Sequence, residues 1–388
     1  MQSRRPLVLL PLLCPAAAQA DLRPQQYDYG YQLYDEGPDR IQIESHYIRG
    51  RIDLDDETSF RFQWLKDSIS GASPTGALPG SIQPFLAELD DVRTGLLGAI
   101  SRKFGDHTVE LEISRSSEDD YLSHGVALKD VWELNEKNTV LTFGVNYLDD
   151  SVLVPQRGWF DKNSYDFFTG VTQVLDKNTL VSASLTLGTS NGYLNDPYKS
   201  VSYTSSFEVP DGEGGTNTFF VDNLYPENRP ENRFRQVLQL NARHYFEKLH
   251  GALDATWRGS HDDFGLTSNT VGLEWRQEIG SHLEVAPFVR YYRQSAADFF
   301  VTSADGMSSA PPDVPTGHGP YYAADYRLSH FEAVSGGVKV LWKINDTFSA
   351  TAAYERYEMS GLGGASERSP AAAYIDADMW TFGVSARF

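Results

Sequence analysis

From Tyr27 to its last residue the chain is built from segments of about ten residues in which apolar and polar side chains alternate. In "TVELEIS", Val109, Leu111 and Ile113 fall on one face and Glu110, Glu112 and Ser114 on the other. The same holds in "TVLTFGVNY", where Leu141, Phe143, Val145 and Tyr147 oppose Thr142, Gly144 and Asn146, and in the closing "WTFGVSARF". A helix needs apolar residues at i, i+3, i+4 and i+7, and these windows lack them. Strands of this kind need an apolar environment on one side only. A soluble sandwich supplies it as a core; a membrane barrel finds it in lipid.

The connections between the segments decide between the two. Very short polar turns fall at Asp55–Glu57, Gly105–His107, Glu136–Asn138, Asp176–Asn178, Glu247–His250, Gly280–Ser281 and Asn345–Asp346. Between them lie longer stretches at Ser70–Asp91, Ser116–Tyr121, Asp149–Asn163, Gly188–Arg233, Ser260–Ser268, Ala297–Asp325 and Ser360–Asp376. Strict alternation of short and long connections is the pattern of tight periplasmic turns and long extracellular loops. The expectation is an all-β, antiparallel transmembrane β-barrel of about 16 strands. An early tyrosine strand (Tyr27, Tyr29, Tyr31) is included in that number, and about 14 strands remain if it and its neighbour lie outside the wall.

Composition agrees with strands as the membrane-crossing element, because mean hydropathy is −0.40 and no later stretch approaches the roughly 20 apolar residues of a spanning helix. At the start, Arg4 and Arg5 precede "PLVLLPLLCPAAA" and the small-residue site "AQA" at Ala18–Ala20. This is the order of a secretory signal peptide, so residues 1–20 are expected to be removed and 21–388 to form a single barrel domain. Cys14, the only cysteine, lies in that leader, with Leu13 where a lipoprotein would carry a small residue. Thiol catalysis, disulfides and cysteine-held metals are thereby excluded from the mature chain. Losing Arg4 and Arg5 leaves 31 of the 33 basic residues against 53 acidic ones, a net charge of −22. That sign excludes nucleic acid as a partner. An acidic, cysteine-free exported chain fits the outer membrane of a Gram-negative cell.

Six of the seven tryptophans (Trp64, Trp132, Trp257, Trp275, Trp342 and Trp380) fall in strand segments, as aromatic girdles at two water–lipid boundaries require. The final strand, with Trp380, Phe382, Val384 and the terminal Phe388 on one face, resembles the C-terminal strand of bacterial outer-membrane barrels that the barrel-assembly machinery reads. Outer-membrane lipid, lipopolysaccharide and that machinery are the expected partners.

Three further motifs carry a narrower resemblance: "DSISGASPTG" (with Asp67, Ser70, Gly71, Ser73 and Pro74), "GYLNDPYK" (with Asp196, Pro197, Tyr198 and Lys199) and "YPENRPENR" (with Asn228 and Arg229). Together with the tyrosine-rich start, they resemble an uncharacterised family of bacterial outer-membrane proteins, the domain of unknown function numbered 3570. The resemblance implies an outer-membrane barrel over nearly the whole mature chain and no established substrate. It also implies an exported protein partner, since members of the family are thought to be encoded near exported flavin-transfer and thioredoxin-like proteins. On its own chemistry the first motif is a shaped loop. Gly71 and Gly76 permit positive φ, Pro74 fixes φ, and Ser70, Ser73 and Thr75 can bond nearby backbone. It either folds into the lumen or forms a capped turn. The Gly188–Arg233 loop is long enough to be functional, with ordered-looking motifs around a flexible "PDGEGGTN".

Nine histidines are scattered without an H-x-x-x-H or H-E-x-x-H pair. "HDD" (His261, Asp262, Asp263) and "LDD" (Asp149, Asp150) both fall at extracellular strand ends, where a histidine and aspartates meeting across the mouth would activate water as outer-membrane proteases do. Glu118, Asp119 and Asp120 offer carboxylates for loose Ca²⁺ or Mg²⁺, and no dedicated cofactor is expected. The leading expectation is a non-enzymatic pore for a small solute. Inward positions would include Glu110, Glu112, Asn146, Arg243 and Glu284, with weak cation preference if enough acids face the pore. A plugged barrel serving exported proteins is the alternative, and a rim hydrolase the third reading.

Overall fold

The computed structural model describes residues 23–78 and 80–388, so the leader assigned to residues 1–20, with Cys14, lies outside the described residues. The strands are β1 (Gln25–Asp35), β2 (Gln42–Asp53), β3 (Thr58–Thr75), β4 (Phe85–Phe104), β5 (His107–Ser117) and β6 (Tyr121–Leu134). They continue with β7 (Thr139–Val154), β8 (Gly158–Asp176), β9 (Thr179–Gly192), β10 (Ser200–Pro210), β11 (Thr216–Pro226) and β12 (Asn232–Phe246). The last six are β13 (Gly251–Asp262), β14 (Thr267–Ile279), β15 (Leu283–Gln294), β16 (Phe331–Lys343), β17 (Phe348–Gly361) and β18 (Asp376–Arg387). All but β10 and β11 form one closed antiparallel barrel of 16 strands, in which β9 neighbours β12 and β18 closes on β1. The tyrosine strand is β1, inside the wall, which decides for 16 strands over 14.

Every short turn expected from the sequence joins a barrel hairpin at one end of the wall. At the other end the strands overrun. β3, β4 and β8 are 18, 20 and 19 residues long, well beyond the roughly 9–11 that cross a bilayer. "DSISGASPTG" is therefore no free loop: Asp67, Ser70, Gly71, Ser73 and Pro74 lie on the outer end of β3, in register with β4 from Asp67↔Arg93 to Pro74↔Leu86. Pairing across such a hairpin satisfies the backbone, so polar residues there extend the sheet. Similarly, β7 and β8 consume most of Asp149–Asn163 and leave a three-residue turn at 155–157.

Period two sorts the wall into two faces. Leu111, Ile113, Val145, Leu238, Leu240 and Val271 point outward and are 42–61% exposed. Trp380, Phe382, Val384 and Phe388 continue that outward face at 45–56% exposure, and their register neighbours Thr381, Gly383 and Ser385 point inward. An apolar face this extensive, wrapped around the whole barrel, is unfavourable in water. The buried apolar clusters lie at the long-loop end. One gathers Phe264, Phe299, Phe300 and Leu328, another Tyr326, Phe331, Met359 and Tyr374, and a third Val201, Ala304 and Tyr322.

Candidate functional site

The three motifs singled out in the sequence meet above the barrel mouth. β10 and β11 form a separate hairpin within the β9–β12 connection, turning at Asp211–Gly215 in the segment expected to be flexible. At its base, Lys199 reaches the end of β3 and donates to Ser73 Oγ at 2.7 Å and to the Pro74 carbonyl at 2.5 Å. The Ser200 amide donates to Thr75 Oγ1 at 2.8 Å. Gly76 allows this close approach, and Gly71 allows a second one, to the β1–β2 connection. A Cβ on Gly76, at φ +46°, would stand 2.8 Å from the Ser200 carbonyl oxygen, and one on Gly71, at φ +109°, 2.0 Å from that of Arg40.

On the far side of Lys199 the connection is locked to the β15–β16 loop. Asp196 accepts the Tyr198 amide at 2.9 Å, shaping the turn that carries Pro197, and also binds Arg327. Arg229 donates to Glu227 at 2.9 Å and to Asp325 at 2.8 Å, while Arg327 donates to Asp325 at 2.9 Å. Asn228 uses its whole amide: Nδ2 donates to the His318 and Pro320 carbonyls at 2.7 and 2.9 Å, and Oδ1 accepts from the Thr316 and Gly317 amides. Glu227, Asn228, Asp325 and Lys199 are 1–4% exposed. Three cations (Lys199, Arg229, Arg327) therefore face three carboxylates (Asp196, Glu227, Asp325), a matched set when every group is ionised.

Burial raises the Glu227 carboxyl to about 7, against the opposing pull of Arg229. For Asp325 the burial penalty is outweighed by Arg327 and Arg229, which hold it below the usual carboxylate range. The two acids thus divide the available cation stabilisation unequally, and Glu227 is the one that takes up a proton. Burial lowers the Lys199 ammonium. The Tyr198 hydroxyl donates to Asp120, and burial together with that acceptor raises its pKa.

Asp120 belongs to the acidic cluster expected at the β5–β6 loop, with one change of membership. One of its carboxylate oxygens, one of Glu118 and one of Asp91 on β4 lie within 4.8 Å of one another. Asp119 contributes its amide, donated to Asp91 at 3.2 Å, in place of its side chain. Of the first motif's remaining members, Asp67 is buried against Arg93 at 2.7 Å and Ser70 is exposed on the outer face of β3.

The histidine–aspartate candidates divide between the two faces of the wall. His261 points outward and shares a hydrogen bond with Thr267 at 3.1 Å, while Asp262, the next residue, points inward. Asp262 accepts Arg233 at 2.9 Å and the amides of Phe264 and Leu266 at 3.1 and 3.0 Å, so it shapes a turn. Asp263 is exposed. Asp149 points outward, and Asp150 lies buried 3.3 Å from Lys162. What reaches a common space is the basic partner of each inward aspartate. Lys162 and Arg233 line one cavity of about 530 Å³ beneath the loops, together with Tyr198 and Arg229.

Below that cavity the lumen is polar and its charges are largely matched. Arg61 holds Glu110 and Glu112 at 3.2 and 2.7 Å, and Lys129 holds Glu110 at 2.7 Å. Arg243 and Arg276 flank Asp254, Arg276 and Lys339 flank Glu274, and Arg290 meets Glu355 at 2.8 Å. Glu284 stands 4.0 Å from Arg276, and Asn146 donates to Asp166 at 3.3 Å. These acids face the lumen, as the expectation of weak cation preference required, and bases accompany them. Of the basic partners only Arg243 was expected inward from the sequence; Asp325, Arg327, Arg61, Lys129, Arg276, Arg290 and Lys339 were not singled out, because each gains its role from a contact made in the fold.

Comparison with known proteins places the architecture. CdiB from Acinetobacter baumannii has a TM-score of 0.51 at 8% identity over 94% of this chain and 60% of that one. The siderophore receptor PirA from Pseudomonas aeruginosa has a TM-score of 0.44 at 11% identity, over 94% and 62%. A bacterial polysaccharide outer membrane secretin has 0.49 at 10% identity, over 95% and 99%. This chain thus spans less than two thirds of the length of the first two. No curated protein matches it in sequence. The fold is that of an outer-membrane barrel. A family model described as "Protein of unknown function (DUF3570)" matches residues 12–88, 80–159 and 154–371, and the chain belongs to that family.

Proposed function

We infer that the protein is an outer-membrane channel for a small polar solute, closed at its outer mouth by its own loops. The apolar outer face supports the membrane setting, with lipid and lipopolysaccharide against the wall and the assembly machinery as the partner of the Phe388 strand. The charge-matched lumen, with a cavity of about 600 Å³ between β9 and β17, supports passage of a hydrophilic molecule. The observation that carries the reading is the ion-pair cluster around Arg229 and Asp325, tied through Lys199 to β3, six strands away from β9 around the wall. Such a cluster holds a closed state and leaves a polar lumen ready behind it.

The test is single-channel conductance in a planar bilayer, comparing the whole protein with a variant in which 193–231 is replaced by a short turn between β9 and β12. The whole protein should be silent or open briefly, and the variant should conduct steadily. A variant that stays silent would remove the channel reading.

One observation favours a second reading, a closed barrel that docks an exported protein. The β10–β11 hairpin exposes Phe207, Phe219 and Phe220 at 51, 48 and 73%, and residues 200–226 contain no lysine or arginine. Retention of the barrel by an exported basic protein, lost on deleting that hairpin, would support it.

A further inference from the structure

We propose that the lumen holds a binding site for a polyhydroxylated carboxylate, with Arg258 as its anion anchor and the inward side chains of β8, β9 and β12 as its hydroxyl-binding floor. The proposal rests on the channel reading and names the class of solute.

Arg258 stands apart from the cations around it. Arg61, Arg93, Arg233, Arg243, Arg276 and Arg290 each contact a carboxylate. Arg235, nearer the mouth, sits beside Asp166: a Cβ built on Gly188 would stand 2.5 Å from Asp166 Oδ1 and 3.8 Å from an Arg235 guanidinium nitrogen. Arg49 is engaged by Gln63 at 2.9 Å and lies 5.5 Å from the Tyr47 ring. Among the described residues Arg258 makes neither a side-chain hydrogen bond nor an ion pair, and it lines a cavity of about 450 Å³ that has no carboxylate in its wall. A guanidinium with five free donors is the side chain best shaped to hold both oxygens of a carboxylate.

Strand register places the rest of the site beside it. Gln239 pairs with Arg258, Ser184 with Gln239, and Gly170 with Ser184, so one row crosses from β13 to β8. The adjacent inward row carries Thr256, Asn241, Ser182 and Thr172. Strands lie about 4.8 Å apart, so the step from Arg258 to Ser184 is about 10 Å, room for an extended sugar-acid chain hydrogen-bonded at both ends. The side chain of Asn241 is fixed by Ser182 at 3.2 Å and Thr256 at 2.9 Å. The hydroxyls of Ser184 and Thr172 and the Gln239 side-chain carbonyl oxygen have no partner among the described residues and face the same cavity. Gly170 leaves the floor low, and the Phe168 ring beside it offers an apolar surface for the C–H face of a sugar chain. Uncharged donors and acceptors next to one unmatched cation suit a molecule with several hydroxyls and a single negative end. They do not suit a polyanion.

The experiment is isothermal titration calorimetry of sodium gluconate, with glucose as the neutral comparison, into the refolded full chain in detergent, for wild type, Arg258→Gln and Arg258→Lys. Heat-modifiable electrophoretic mobility, equal in all three, checks the barrel. Gluconate should bind wild type more tightly than glucose does, weaken about tenfold in Arg258→Gln, and recover in part in Arg258→Lys. Absence of gluconate binding by wild type, equal affinity for glucose, or unchanged affinity in Arg258→Gln would each overturn the proposal. Conductance recorded from the same preparation separates the two ideas. Binding without conductance, even after loop removal, would keep the site and remove the channel; conductance without binding would do the reverse.

Discussion

The Lys199 ammonium donates to the Ser73 hydroxyl at 2.7 Å, joining residues 126 positions apart that belong to different sides of the barrel mouth. Both residues stand in motifs that the sequence singled out for other reasons. Their meeting ties two ordered-looking segments together above the barrel mouth.

Lys199→Met keeps the aliphatic stem and removes the donor. The Ser73 hydroxyl and Pro74 carbonyl lose a charge-assisted partner, which costs the closed arrangement about 2 kcal/mol. Hydrogen–deuterium exchange across 200–226 should accelerate, with the short turns unaffected. Unchanged exchange at the hairpin base would show that Lys199 is no tie.

Asp325→Asn removes the charge shared by Arg229 and Arg327 and leaves the buried Arg229 guanidinium facing Glu227 alone and the half-exposed Arg327 facing Asp196 alone. Breaking a buried pair of this kind costs roughly 3–5 kcal/mol. Limited proteolysis should then cut within 193–231 and 295–330 while the 16-strand barrel keeps its heat-modifiable mobility. Protection equal to wild type would refute the assignment of the cluster as the closure.

The closure should loosen as pH rises from 5 toward 7. Glu227 is surrounded by Arg229, Lys199, Asp325, Asp196 and Tyr322, and its carboxyl is raised to about 7 by burial, so docking takes up a proton once the pH exceeds the ordinary carboxylate value of about 4.3. A group whose pKa is raised stabilises the docked state fully below its ordinary pKa, and that contribution is lost as pH climbs through the docked value. Asp325, held below its ordinary value, acts oppositely and only in more acidic solution. Opening probability should rise by at most about tenfold per pH unit in this window and then level off. Glu227→Gln should flatten the response. A slope of the opposite sign would contradict this role for Glu227.

Asp262→Asn should act on stability. Its carboxylate is committed to Arg233 and two amides, so the substitution costs about 2 kcal/mol. The purified protein should show no peptidase or lipase turnover with either residue. Turnover that disappears in Asp262→Asn while thermal stability holds would revive a rim hydrolase.

Deleting Phe388 removes the residue that follows β18 and still pairs with the first strand. Its amide donates to the Gln25 carbonyl at 2.9 Å, its carbonyl accepts the Gln25 amide at 3.1 Å, and its ring lies 6.3 Å from that of Phe348. The amount of heat-modifiable barrel in outer-membrane fractions should fall several-fold. Normal insertion would count against Phe388 as an assembly signal.

The wall was legible in the sequence because each hairpin writes its own pattern locally: period two fixes the faces, and turns such as Gly105–Asp106 fix the joints. The β10–β11 hairpin was missed because it stands outside the wall, and the consecutive polar residues Thr204, Ser205 and Ser206 interrupt its alternation. "DSISGASPTG" read as a loop because serine, glycine and proline are turn formers, and pairing with β4 outweighed those preferences. The motifs themselves were visible. What joins them was hidden, since Asp325 and Arg327 gain meaning only when the β15–β16 loop crosses to meet Arg229.

Of the 16 seams in the wall, 14 join strands consecutive in the chain, β9–β12 spans an inserted hairpin, and β1–β18 pairs Gln26 with Arg387. The sheet can therefore grow as a zipper, each tooth engaging the one just before it, until a single clasp remains. Only that clasp carries the entropy of joining the two ends of the sheet. Weakening an interior hairpin alters how quickly the ribbon lengthens; weakening the clasp decides whether a ribbon becomes a tube.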